Sequence, residues 1–565
     1  MRSTIPAMRM RSFYGAILIL PLLAAAQKPP IPAIGESIEV SIVNVDVFVT
    51  TKDGQRVHGL TQNDFEVFEN GVRQPITNFA EYEENVGRAS ARPDEAPKDD
   101  GLKPVLHSPR TVILFFDRFY LPKFRNDPFF ASLRKLMHDT VRPGDKAMIV
   151  SWNRGVMLTI QPFTDSLPAL DRALDAVETL SSKPILDRTS ETRAIIQFTQ
   201  SMDDWATMNG LSSNGASLAD MELQSIAERE KFDLEHKIRT INALIRSIAA
   251  AEGKKIMFLA THRLSRDAGA EHYYAVPNKA NIPFEVKIFL DMRPLVKKME
   301  EAANANGVTI YPVFPEGLQV TQKVARVDEA QMSVEADEDS NYLDYRVLSN
   351  ETPMLTEIAE ETGGLTAWGS TDIVNLLPRI QEDLHSYYSL AYRLKGSGTD
   401  NARNIVVKVK NPALTVRSRR EFMEKSDVTR MEDRVIAALF GNPPSVGTVP
   451  LHVALGKRKP HGKQYVLPVT VHIPIAALTS LPQGNQYAGA FSVYFAWGGT
   501  VGGLSDTTHE TRTYRIPAAE IEKAKSGHLT YQIDLNADQR TTRVALGVID
   551  EVSKEFALRL IELRP

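Results

Sequence analysis

The spacing of apolar positions changes along this chain, and the changes divide it. From Thr111 the residues run Thr-Val-Ile-Leu-Phe-Phe and close on Asp117, an apolar stretch ended by one carboxylate. Such runs predict strands buried on both faces of a parallel sheet. Comparable runs at 146–152, 255–259 and 308–313 predict further strands. Between them the spacing becomes helical, as in Phe130, Leu133, Leu136 and Met137, or Leu167, Leu170, Leu174 and Val177. Asp127-Pro128 and Thr164-Asp165-Ser166 provide helix starts, Gly363-Gly364 a stop, and Pro378 predicts a kink in a last helix carrying Ile373, Leu377, Ile380 and Leu384. Residues 110–385 therefore read as a doubly wound α/β domain on a parallel sheet.

On either side the period falls to two. Short strands are predicted at 38–42, 45–50, 65–68 and 76–82, separated by turns at Asp53-Gly54 and Asn70-Gly71. Residues 27–82 are too few to bury a core alone, and 386–422 carries strand patterns at 387–394, 404–410 and 414–419. One β-sandwich built from both pieces, with the α/β domain inserted between them, accounts for both. Residues 83–109 place Pro93, Pro97, Pro104 and Pro109 among acids and lysines, as a flexible linker does. Residues 430–565 predict a C-terminal β-sandwich, with strands near 465–473, 491–497, 529–535, 543–549 and 556–563.

The first residues add a compartment. Arg2, Arg9 and Arg11 precede the apolar segment Tyr14 to Leu23 and then Ala24-Ala25-Ala26, the order of a signal peptide over residues 1–26. Export to the periplasm, the cell surface or the medium follows, with no membrane span after cleavage. An uncleaved N-terminal anchor is the alternative. The chain has no cysteine, so neither disulfides nor a thiol nucleophile enter the argument. A formal net charge of -4 gives no basic field for nucleic acid.

Several phrases carry a family likeness. Arg142-Pro143-Gly144-Asp145-Lys146, Ala302 to Pro312, and Ile358-Ala359-Glu360-Glu361-Thr362-Gly363-Gly364 look like phrases of von Willebrand factor type A domains. The whole layout is similar to the bacterial exported proteins described as von Willebrand factor type A-related. Their Val-Asp-Val-x-Val strand matches Val45 to Val49, their Gly-Leu-Thr-x-x-Asp-Phe phrase begins the match over Gly59 to Gly71, and their Tyr-Tyr-x-Leu-x-Tyr phrase matches Tyr387 to Tyr392. The resemblance covers residues 38–422. It implies a type A domain inserted in or following an Ig-like β-sandwich.

The same resemblance implies a metal site at Asp117, and the residues depart from it. The family loop is Asp-x-Ser-x-Ser, whereas Phe119 and Leu121 stand where the serines belong. A Mg²⁺-like ion needs hard oxygen ligands from three loops. Asp117 is one. Thr189 or Thr192 would serve the second loop, and Thr261, in Ala260-Thr261-His262, the third. Asp117, Thr192 and Thr261 form the residual set, a degenerate site for weak Mg²⁺ or Mn²⁺. The competing reading is that Asp117 caps a helix or pairs with Arg118 or a neighbouring base. No nucleophile elbow, zinc-protease, Walker A or dinucleotide motif occurs, so the chain reads as a non-enzyme without a cofactor. A hydrolase using His262 is the third reading. Seven acids and no base in 328–344 lack the order of a calcium loop and read as a solvated mobile loop.

Long connections at 118–126, 181–219, 261–285 and 316–350 enlarge the edge of the sheet where open α/β folds bind ligands. The predicted binding face comprises Arg118, Phe119, Tyr120, His262 and Arg263. The expected function is recognition of an extracytoplasmic protein or polymer without metal, with metal-dependent adhesion at Asp117 as the alternative.

Overall fold

The computed structural model describes residues 41–83, 109–118, 128–153, 155–180, 218–261, 264–274, 284–314, 335–368, 370–394, 400–443, 445–462, 464–499 and 504–563, with isolated positions between them. The signal segment 1–26, the linker interior 84–108, the acidic residues 328–334, and Phe119, Tyr120, Leu121, Thr189, Thr192, His262 and Arg263 lie outside the described residues.

The N-terminal segment forms β1 (Ser41–Thr51), β2 (Phe65–Glu69), β3 (Val72–Gln74) and β4 (Ile76–Glu83). One strand spans the region where two were expected. Its Val43, Val45, Val47 and Val49 all point to one side and are fully buried, so a single alternating register satisfies the whole stretch.

The α/β part begins at β5 (Arg110–Asp117), whose residues are all buried. It continues through α1 (Pro128–Thr140), β6 (Lys146–Asn153), β7 (Val156–Thr164), α2 (Leu167–Leu180), α3 (Leu218–Ser247) and β8 (Lys254–Ala260). Then come α4 (Ala270–Tyr274), α5 (Phe284–Leu290), α6 (Arg293–Asn306), β9 (Val308–Phe314), α7 (Glu335–Thr362), β10 (Ala367–Trp368) and α8 (Ser370–His385). The strands β10-β9-β8-β5-β6 are parallel, but β7 runs antiparallel to β6, so the sheet is mixed rather than wholly parallel. Gly155, at φ 75, makes the tight reversal between β6 and β7. β7 is only half buried and lacks a continuous apolar run, which is why the strand pattern there is faint.

Successive residues of β5 feed two cores. Val112, Leu114 and Phe116 pack against α1, α2 and α8, whereas Ile113 and Phe115 pack against α3, α6 and α7. Helix α8 continues through Pro378. Helix α7 starts at Glu335, so residues 335–344, read as a solvated loop, are helical.

After α8 the chain returns to the N-terminal strands. β11 (Ser386–Leu394) pairs with β1 and β4, β12 (Ala402–Val409) with β2, and β13 (Leu414–Ser418) with β1, while β14 (Glu421–Met423) extends β12. Two four-stranded sheets, β13-β1-β11-β4 and β14-β12-β2-β3, share a core of Val45, Val47, Phe65, Tyr388, Leu390 and Ile405.

The C-terminal part opens with α9 (Asp427–Leu439), a helix where the β-rich section was expected to begin. Its N-cap Ser426 accepts a hydrogen bond from Thr429 N–H, and its apolar face packs against Tyr494, Ala545 and Leu558. The strands beyond it form two antiparallel sheets around a shared core that includes Val469, Val471, Val493, Phe495, Leu535 and Leu546. Val501 and Gly502 leave that body and pair with Leu158 and Met157 of β7, adding a seventh strand to the α/β sheet. Among the described residues no helix is long and apolar enough to cross a membrane.

Candidate functional site

Asp117 ends the central strand β5, flanked by β6 and β8, and is completely buried. Thr261 follows the last residue of β8 and is buried beside it. Its Oγ1 donates to Asp117 Oδ2 at 3.0 Å. The structure thus brings together two of the three residues considered for a residual ion site, while Thr192 lies outside the described residues. The same Oδ2 also accepts from Lys237 Nζ at 2.5 Å, and the lysine side chain is only 3% exposed. Oδ1 has no hydrogen-bond partner among the described residues.

Lys237 comes from α3, and its place there follows from helical spacing. Leu234, Ile238, Ile241, Leu244, Ile245 and Ile248 form the stripe that α3 lays on the sheet. Position 237 falls within that stripe, at the height where β5 ends. A lysine on an otherwise apolar helix face was the sequence signal for this contact. Burying a lone ammonium or a lone carboxylate is costly, and the pair offsets that cost only because each charge meets the other directly.

This arrangement does not fit a divalent ion. The ammonium stands at hydrogen-bond distance from the carboxylate that an ion would need, and a metal there would face a like charge at short range in a dry site. Among the described residues, no three histidine, cysteine, aspartate or glutamate side chains converge to hold a metal.

Arg118, from the predicted face, is half-buried. Its backbone N–H donates to Trp152 O at 2.9 Å, and its Nε has no partner among the described residues. Burial lowers its pKa from the ordinary arginine value. Burial also lowers the pKa of His236, which packs edge-on against Trp152 at 5.1 Å between ring centres, and Arg239 adds to the shift.

Helix α3 is longer than the sheet is deep. Its 30 residues span about 45 Å at 1.5 Å each, against roughly 26 Å for the eight residues of β5. The half preceding Lys237 therefore overshoots the carboxyl edge of β5 and builds a small lobe with α4 and α5. Leu223, Ala227, Tyr273 and Leu290 form its separate core. Gly269, at φ +70, lies so near Ala227 that a Cβ there would come within 2.7 Å of its Cα, so the connection can touch α3 only with glycine at this position. His272 is buried with Nε2 3.0 Å from Glu230 Oε1. Asn350 of α7 locks the base of the lobe: Asp267 N–H donates to its Oδ1 at 2.9 Å, and its Nδ2 donates to Asp267 O at 2.8 Å.

The outer surface of this region is aromatic. Phe232 is 69% exposed and Phe284 72%, with Ile288 and Phe289 also open and Lys231 over the Phe289 ring. Phe198 and Trp205, in the connection before α3, are exposed as well. These five are all the exposed phenylalanine and tryptophan side chains among the described residues, and they fall between α2 and α6. None of them was singled out in the sequence, because an exposed aromatic cannot be told from a core aromatic until the helix faces are known.

No family model matches the chain, and no curated protein matches it. Among solved structures, a β-glucosidase from Kluyveromyces marxianus in complex with glucose aligns at 12% identity over 58% of this chain and 33% of that one, with a TM-score of 0.13. The selenomethionine-labelled form of that enzyme aligns at 10% identity over the same shares, with a TM-score of 0.14. The chain spans a third of the length of these proteins, and similarity at this level carries no argument about fold or activity.

Proposed function

We propose that this is an exported, non-enzymatic binding or scaffolding protein, related to the bacterial von Willebrand factor type A-related proteins. In this reading it recognises an extracytoplasmic protein or polymer through the carboxyl edge of its α/β sheet, without a metal ion. The observation that carries the reading is the double role of α3. That helix turns Lys237 inward to neutralise Asp117 and Phe232 outward onto an aromatic surface. A tethered ammonium supplies the positive charge that an ion would otherwise bring. Contacts to a partner then fall to the aromatic side chains of the lobe, which is the kind of surface that carries binding energy in protein interfaces.

The test is capture from envelope extract with the full chain as bait. A component retained in the presence of chelator, and lost when Phe232 and Phe284 are both replaced by serine, supports the reading. Capture that depends wholly on added Mg²⁺ or Mn²⁺, or that ignores both substitutions, overturns it. The metal-dependent reading keeps one point in its favour, the second carboxylate oxygen of Asp117 without a partner among the described residues. Calorimetric titration of Mn²⁺ into the wild type, with a stoichiometric heat that Asp117→Ala abolishes, would establish that reading instead.

A further inference from the structure

The five-stranded sheet of the C-terminal part is covered at one end and open at the other. We propose that its open strand, Thr508–Pro517, is a self-recognition edge that pairs antiparallel, across a two-fold axis, with the same strand of a second copy of the chain. The surface is independent of the aromatic lobe.

Thr508–Pro517 pairs with Gln486–Gly498 along its whole length and without a bulge. Neighbouring hydrogen bonds give the direction of each peptide. Glu551 N–H donates to Ala490 O at 2.9 Å, so the even-numbered residues of Gln486–Gly498 face Arg543–Asp550 and the odd-numbered ones face Thr508–Pro517. Ser505 N–H on Trp497 O and Ala518 N–H on Asn485 O agree with this. In the observed register, His509, Thr511, Thr513 and Arg515 then turn their N–H and C=O to the open side. None of the four has a backbone partner there among the described residues. The far end of the sheet differs, because Leu558 N–H donates to Val446 O at 2.8 Å and Phe556 O accepts from Thr448 N–H at 2.9 Å.

Charge selects both the occupant and the register. Glu510 and Arg512 lie two positions apart on the face toward the strand His528–Asp538, with 2.6 Å between their charged groups and side chains 45% and 54% exposed. Tyr531 of that strand holds both: its hydroxyl donates to Glu510 Oε2 at 2.6 Å, and its ring centre is 5.7 Å from the Arg512 guanidinium. Opposite charges at i and i+2 of an edge strand are self-complementary. In an antiparallel pair with Thr511 on the two-fold axis, Glu510 of each copy stands opposite Arg512 of the other.

That axis also suits the backbone. Residues 509, 511 and 513 fall in hydrogen-bonded pairs, and the Glu510–Arg512 pairs fall in the non-hydrogen-bonded positions, where side chains approach most closely. Moving the axis to Arg512 sets arginine against arginine, and moving it to Glu510 sets glutamate against glutamate. Strand edges are commonly guarded by charges that repel another strand, whereas these attract a copy of their own. The overlap from Thr508 to Tyr514 covers about 20 Å of strand. Such a contact is small, so the dimer is expected to be reversible, dependent on concentration and weakened by salt.

Sedimentation velocity of the full chain over a concentration series, at low and high salt, is the test. A reversible dimer that salt weakens supports the proposal. Arg512→Glu and Glu510→Arg should each raise its dissociation constant by about tenfold or more, since each sets like charges opposite one another. The double variant Glu510→Arg/Arg512→Glu should return the constant close to the wild-type value, a recovery that misfolding of a single variant could not imitate. A chain that stays monomeric at every concentration, a dimer indifferent to both single reversals, or a double variant no tighter than the singles would each overturn the assignment.

Discussion

Lys237 Nζ lies 2.5 Å from Asp117 Oδ2, although 120 positions separate the two residues. The contact fixes α3 against the crest of the sheet and joins that helix to the central strand. Replacing one partner leaves the other charged in a site that water does not reach. Lys237→Met is therefore expected to destabilise the chain by about 3–5 kcal/mol, and Asp117→Asn combined with Lys237→Met by less than the sum of the single changes. Denaturant unfolding of the four proteins checks both expectations. Strict additivity would mean that the pair is not coupled.

Glu300 on α6 is 1% exposed, and its Oε1 has no partner among the described residues. Burial, with Glu357 next in weight, pushes its pKa up to about 8, and Lys297 opposes them. Glu361 and Glu421 also face it and add to the rise. The folded state therefore keeps a proton that the unfolded chain loses near the ordinary value of 4.5. Stability from this proton is complete below that value and drains away as pH rises through about 8. Glu300→Gln should match the wild type at low pH and exceed it progressively above, reaching on the order of 4–5 kcal/mol at mildly alkaline pH. Thermal unfolding across that range measures the gap, and parallel pH profiles would refute the assignment.

The contrast between these two sites shows where sequence patterns carry information. The run from Val112 to Phe116 announced a central strand because every residue in it is apolar, and burial on two faces leaves little other use for such a run. Asp117 was placed correctly at its end for the same reason. Its partner was hidden, because a salt bridge between β5 and α3 depends on how a helix 120 positions away packs on the sheet. Lys237 was visible only as a charged residue on an apolar helical stripe. β7 escaped notice because a half-buried strand with Gln161 and Pro162 has no clean period. The exposed aromatics of α3 and α5 needed the helix orientations before they could be separated from core.

Asp383 at the end of α8 joins the α/β part to the sandwich. Arg56, Arg417 and Tyr311 all contact its carboxylate, Arg417 at 2.6 Å and the Tyr311 hydroxyl at 3.0 Å, and Lys254 donates to its backbone oxygen. Burial alone would raise its pKa, but Arg417, Arg56 and Lys254 overrule burial and hold it below the ordinary 3.8. A depressed carboxylate contributes stability that is present above the unfolded value and lost as pH falls through the folded one. Asp383→Asn should cost about 3–5 kcal/mol at neutral pH by leaving buried guanidinium groups without their counter-charge. The loss relative to the wild type should shrink below pH 3.8. Acid titration of both proteins by circular dichroism tests this, and a gap that stays constant into strong acid would remove Asp383 as the titrating group.

The strand pairings also decide which parts of the chain can fold alone. Within residues 41–83 the direct pairings are the short β2–β3 ladder and the isolated Thr50–Arg56 bridge, whereas β1 depends on β11 and β13, β4 on β11, and β2 on β12. Val43, Val45 and Val47 would be stripped of the Tyr388, Leu390 and Tyr392 side chains with which they share a core. Isolated residues 41–83 are therefore expected to give no cooperative unfolding transition and no dispersed amide spectrum. Supplying residues 386–423 through a flexible tether, in place of the α/β part, should restore pairing in the β1–β11 register. Mutating Tyr388→Ala in that fusion should abolish the transition, since Tyr388 packs on Phe65 and Phe79 and its hydroxyl bonds Val57 O at 2.9 Å. A fragment of 41–83 that unfolds cooperatively by itself would show that its strands hold another arrangement, in which the later segment is an addition and not a half of the sandwich.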